Sequence, residues 1–176
     1  MAAEQAQKEQ GTSHEPVGAD VRGLKLAERT AVRGYGAPGT ARPTDRSPLD
    51  AAAFGVARTR LWSALARQGA VARCVEAADG RMAGVGMSRA GSRARYLGPV
   101  VAASPVAGLA LIEALLADHP GEPVYWDIPD PNTAAVVWAE THGFQLQRVL
   151  TRMFLGDNRT PGDPRLQFAL AGPEVG

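Results

Sequence analysis

Between residues 93 and 148 the chain alternates short apolar runs with segments of helical period, and each helical segment has a chemical start signal. Residues 93–102, Arg-Ala-Arg-Tyr-Leu-Gly-Pro-Val-Val-Ala, predict a strand that becomes apolar on both faces toward its end, as a buried strand does. Ser104-Pro105 then opens a helix carrying Val106, Leu109, Ala110, Ile112, Leu116 and Ala117, which Asp118-His119-Pro120-Gly121 stops. Residues 124–128 predict a second strand. Asp130-Pro131-Asn132 launches a second helix that ends at His142-Gly143, with Gly143 suited to a left-handed C-cap, and residues 144–148 and 151–155 read as two further short strands. Phe144 is expected to pack inside the sheet. A strand, helix, strand, helix, strand succession implies right-handed crossovers and a partly parallel sheet, so the fold class is mixed α/β.

The preceding segment is of another kind. Ser47-Pro48 offers an N-cap followed by a proline at the first helical position, and Leu49, Ala53, Phe54, Leu61, Trp62 and Leu65 recur at roughly helical spacing. One or two helices ending near Gln68-Gly69 follow. Residues 71–77 and 81–89, joined through Ala-Asp-Gly, predict a β-hairpin, which with residues 93–102 makes an antiparallel meander. Upstream of Ser47 the pattern fades. Residues 1–20 hold almost no large apolar side chain and cannot offset the entropy of ordering, and residues 35–48 are dense in turn-formers. Residues 21–33 read as a short strand or helix. The expected organisation is a disordered or weakly ordered extension over 1–46 and one domain over 47–176.

A chain of 176 residues can bury roughly 70% of its unfolded surface, enough for a core without staples. Its 19 basic and 18 acidic residues leave a net charge of +1, so no single-sign field points to nucleic acid or an anionic membrane. A small molecule is the expected partner. The one cysteine, Cys74, cannot form an internal disulfide and reads as a small buried hydrophobe. The N-terminus shows no secretory pattern. The apolar stretch at 103–117 is broken by Ser104, Pro105 and Glu113 and falls short of the roughly 20 residues that span a bilayer. The expected location is the cytoplasm, without a membrane span.

Five segments in order carry a resemblance: Leu49-Asp50-Ala51-Ala52-Ala53-Phe54-Gly55 with Arg58, Tyr96-Leu97-Gly98-Pro99-Val100-Val101-Ala102, Asp127-Ile128-Pro129-Asp130-Pro131-Asn132, His142-Gly143-Phe144 and Thr151-Arg152-Met153. With the element order they resemble the GNAT superfamily of N-acetyltransferases, and are similar to the C-terminal half of a tandem-domain subfamily. The resemblance implies a central mixed sheet, an antiparallel meander followed by a βαβα unit, and two parallel strands that splay apart. It also implies acetyl-CoA as acyl donor and an amine as acceptor. A homodimer, or a separate chain carrying the other domain, is the implied protein partner.

In that family pantetheine binds free backbone groups in the splay. Here Pro99, Val100, Val101 and Ala102 would line it, and Pro99, lacking an N–H, would break the ladder there. An edge strand with a proline kink is the plainer reading. The pyrophosphate would sit on the N-terminus of the following helix, where residues 103–108, Ala-Ser-Pro-Val-Ala-Gly, retain only Gly108 of the glycine-rich and basic family loop. Asn132 matches an asparagine that touches the CoA arm, or is simply an N-cap. Where many relatives place a general-acid tyrosine this chain has Ala139, and neighbouring Trp138 reads as core.

For the catalytic base Asp127 is the first choice, ahead of Glu140 and His142; it could equally be a solvated or loop-bonding Asp before Pro129. His142 otherwise reads as a helix C-terminal cation. Arg148, Arg152 and Arg159 would hold an anionic substrate or be solvated strand ends. No metal site is assigned. Two readings follow: an N-acyltransferase using acetyl-CoA, or a catalytically inactive domain of the same fold that binds a ligand or a protein.

Overall fold

The computed structural model describes residues 32–34 and 46–174. In chain order they form β1 (Val32–Gly34), α1 (Ser47–Phe54), α2 (Thr59–Arg67), β2 (Val71–Glu76), β3 (Met82–Arg89), β4 (Arg95–Ala102), α3 (Pro105–Ala117), β5 (Val124–Trp126), α4 (Thr133–Thr141) and β6 (Gln167–Ala169). The strands make one sheet in the order β1-β2-β3-β4-β5, with β6 also paired to β4. Every pairing is antiparallel except β4 with β5.

The local signals explain most of these elements. Ser104 caps α3, its side chain accepting the Ala107 N–H, and Asn132 caps α4 by accepting from Ala135. The first helical segment divides in two because Gly55 takes a left-handed φ of 99° and ends α1. Its start lies one residue earlier than expected: Arg46 is the N-cap and Ser47 the first helical residue. Gly143 closes α4 at φ 82°.

Strand period two sorts the core. On β4, Val100 and Ala102 face α3 and α4, joining Leu111, Ile112, Leu115, Trp138 and Phe168, while Val101 faces α1 and α2 with Trp62, Val85 and Met87. Cys74 is fully buried.

Val32–Gly34, at the end of the segment read as a short strand or helix, is a strand that pairs with β2 at the sheet's edge; residues 1–31 and 35–45 lie outside the described residues. Two expectations change. Residues 144–148 and 151–155 form no strand, and Leu146, Val149, Met153 and Leu155 are exposed. The strand that follows β5 in chain order comes instead from later in the chain, β6, which pairs with β4. Phe144 is half-buried, its ring edge-on to Trp126 at 5.3 Å, packed beside the sheet instead of within it.

Candidate functional site

β4 and β5 pair over three rungs only, Arg95 with Val124, Tyr96 with Tyr125 and Leu97 with Trp126. Beyond Leu97 they part. Gly98 and Pro99 are joined by a cis peptide, and Gly98 has φ 141°, with the Leu170 carbonyl lying where a side chain would begin, so only glycine fits. The parting is the fork expected from sequence.

The fork is filled by the chain itself. β4 pairs through Val100 and Val101 with β3 on one side and with Ala169 and Gln167 of β6 on the other. Because β3 holds the first edge, β6 must lie on the β5 side, and the Leu170 N–H donates to the Asp127 carbonyl just after β5 at 2.9 Å. The Trp126 indole N–H donates to the Phe168 carbonyl at 2.8 Å.

The sequence-derived residues converge here. Pro99, Val100, Val101 and Ala102 are buried on β4. Gly108, in the first turn of α3, lies under the Phe168 ring so closely that an added methyl group would collide with it. Asn132 donates through Nδ2 to the carbonyls of Arg165 and Gln167, each at 2.9 Å, while Oδ1 caps α4. Gln167 in turn donates from Nε2 to the Ala53 carbonyl at 2.7 Å.

Asp127 stands at the fork's vertex. Its carboxylate accepts the Tyr96 hydroxyl, and Arg89 lies over the Tyr96 ring at 4.2 Å, its guanidinium reaching the Gly98 carbonyl. Burial, and then the hydrogen bond to Asp127, hold the Tyr96 phenol well above its ordinary range. At the head of α3 the Ser104 side chain already engages one of the orphan N–H groups, and residues 103–108 carry no Lys or Arg.

The other candidates lie elsewhere. Glu140 is exposed, His142 stacks on Trp138 with ring centroids 3.8 Å apart, and Ala139 and Trp138 are buried on α4. Arg152 lies over Phe54 and Phe154 on the exposed arm, and Arg148 and Arg159 are exposed. Sequence reasoning missed Tyr96 as Asp127's partner and missed Trp126, Gln167 and Phe168 as fork residues. The parallel register that brings Tyr96 beside Asp127 carries no local signature.

The profile of an acetyltransferase (GNAT) domain matches residues 47–169. Among solved structures, a protein from Pyrococcus horikoshii assigned as an acetyltransferase matches with a TM-score of 0.64 and 19% identity, over 92% of this chain and 50% of that one. A Trypanosoma brucei acetyltransferase matches with a TM-score of 0.47 and 18% identity, over 72% of this chain and 99% of that one. This chain therefore spans about half the length of the Pyrococcus protein. At 19% identity that likeness concerns the fold. No curated protein matches.

Proposed function

The chain belongs to the acetyltransferase (GNAT) domain family, and from that membership we propose that it is a cytoplasmic N-acyltransferase carrying an acetyl group from acetyl-CoA to a small-molecule amine. The observation that carries the reading is the Tyr96 and Asp127 pair at the vertex of the fork. A lysine-like amine, with a pKa of ~10.4, costs about 4.6 kcal/mol to deprotonate at pH 7, and a positioned carboxylate lowers that barrier. Asp127 takes the amine proton. Tyr96 is a positioning residue that fixes the carboxylate through its hydroxyl. Pro99, Val100, Val101, Ala102, Gly108 and Asn132 would border the donor's slot. As the chain stands they do not fit an acyl-CoA, because the β4 edge is paired with β6.

The experiment measures thiol release from acetyl-CoA across a panel of primary amines. Activity in the unmodified chain, falling by about 100-fold or more in kcat for Asp127→Asn, supports the reading. Equal rates in the two proteins would remove Asp127 from the chemistry. A partner, either a second copy or a separate chain carrying another domain of this family, belongs to the same proposal and would be sought by light scattering.

A second reading, a catalytically inactive ligand-binding or interaction module, is favoured by the paired β4 edge together with Ala139 and the uncharged 103–108 loop. It takes over if no amine elicits thiol release and acetyl-CoA leaves the thermal midpoint unmoved at millimolar concentration. A ligand at 100 times its Kd stabilises a fold by about 2.7 kcal/mol, a shift that such a melt resolves.

A further inference from the structure

Resting on the acyl-donor reading above, we propose that β6 is an autoinhibitory strand: the chain's own residues 167–170 occupy the donor slot, and β6 and acyl-CoA exclude one another.

Pantetheine is an extended chain interrupted by two amides, so a slot that takes it must offer a strand edge. Val100 and Val101 offer that edge, and a peptide strand, Gln167–Ala169, is bonded to it. The occupation runs the length of the fork. Leu170 bonds the Asp127 carbonyl at the vertex, Trp126 bonds Phe168 midway, and the Phe168 ring closes over Gly108 at the head of α3. Asn132, on the far side, holds the carbonyls of Arg165 and Gln167. Val100, Val101, Gly108 and Asn132, residues that sequence reasoning placed along the donor's path, thus border the strand or the turn before it.

The strand is also built to leave. Its ladder is short, with a register irregularity between Val100 and Val101. Residues 145–160, the longer part of its connection to α4, contain no helix or strand and are exposed along their length, while the Asp163 N–H just before the strand is tied to the Ala52 and Ala53 carbonyls of α1. Release of β6 would therefore leave α3 and α4 intact. Against release stands the burial of Gln167, Phe168 and Ala169, so the closed form dominates without ligand.

The test uses the full chain. Hydrogen exchange is followed at Phe168, Ala169 and Leu170 during titration with acetyl-CoA, and the titration is repeated with Trp126→Phe, which removes the indole donor to Phe168. We expect bound acetyl-CoA to strip protection from these three amides. Trp126→Phe should exchange them faster and bind acetyl-CoA about two- to ten-fold more tightly, the worth of one hydrogen bond. Acetyl-CoA bound with β6 protection intact, or affinity unchanged or weaker in Trp126→Phe, overturns the autoinhibitory role and leaves the acyl-donor reading standing. If Trp126→Phe frees the amides yet neither protein binds at millimolar acetyl-CoA, the acyl-donor reading falls and the autoinhibitory role falls with it. Should the variant fail to fold, the exchange titration of the unmodified chain decides the matter by the same criterion.

Discussion

The hydroxyl of Tyr96 donates to the carboxylate of Asp127 where β4 and β5 part, with the Arg89 guanidinium over the phenol ring. The bond holds the Asp127 carboxylate at the fork's vertex in a fixed orientation and keeps the phenol protonated. Burial is the larger cause of that protonation and the Asp127 acceptor the second.

This arrangement sets an alkaline signature. Free phenols ionise near pH 10, so tyrosinate absorbance should show Tyr96 missing from that step while the fold persists. The folded value lies above the unfolded one. The stabilisation from this group is therefore complete below about pH 10 and is lost as pH climbs through the folded value. Tyr96→Phe should remove this alkaline loss of stability. Asp127→Asn should bring the phenol only part of the way back, because burial remains; a full return to the ordinary range would show that Asp127, not burial, dominates.

A second carboxylate is structural. Asp50, at 1% exposure, accepts the Arg58 backbone N–H at 2.6 Å and the guanidinium through Nε at 3.1 Å and Nη2 at 2.8 Å. It ties α1 to the start of α2, with Arg58 also lying 4.0 Å from the Phe54 ring. Removing one member of such a buried pair typically costs about 3 to 5 kcal/mol. Asp50→Ala should lose that much in urea unfolding at unchanged m. Asp50→Asn, which keeps an acceptor for the Arg58 N–H, should lose less.

What was legible in the sequence was what is local. Caps at Ser104 and Asn132, the Gly143 stop and the turn around Asp79-Gly80 are each determined within a few residues, and each is found in place. Residues 144–155 have strand-forming side chains, but strandhood depends on a distant partner, and the segment that does pair with β4, Gln167–Ala169, has only three residues and no readable period. The site divides in the same way. Asp127, Gly108, Asn132 and the β4 residues were placed through the order of elements, whereas the Tyr96 contact depends on the β4 to β5 register.

β1 provides a test at the opposite edge of the sheet. Arg33 is the register partner of Cys74, whose fully buried thiol is held above its ordinary pKa mainly by burial. A chain beginning at Arg46 should therefore react with an aromatic disulfide reagent at Cys74 much faster than one beginning at Val32. It should also lose about 1 to 2 kcal/mol, since Val32 packs against the main core. Equal labelling rates in the two chains would mean that β1 does not shield β2.

The contact between Gly108 and Phe168 can be tested by a reversal of sign. In the native background, a methyl group at 108 lies well inside van der Waals separation of the Phe168 ring. Overpacking of this kind costs about 1 to 3 kcal/mol, against the roughly 1 kcal/mol that Ala gains over Gly within a helix. Gly108→Ala alone should therefore be neutral to destabilising by up to about 2 kcal/mol, with faster exchange at β6. Phe168→Ala removes a buried ring and should cost about 3 to 5 kcal/mol. It also empties the space above residue 108, so in that background Gly108→Ala should become stabilising by up to about 1 kcal/mol. Simple additivity of the two substitutions in a double-mutant cycle would place the ring elsewhere, and with it the strand that closes the fork.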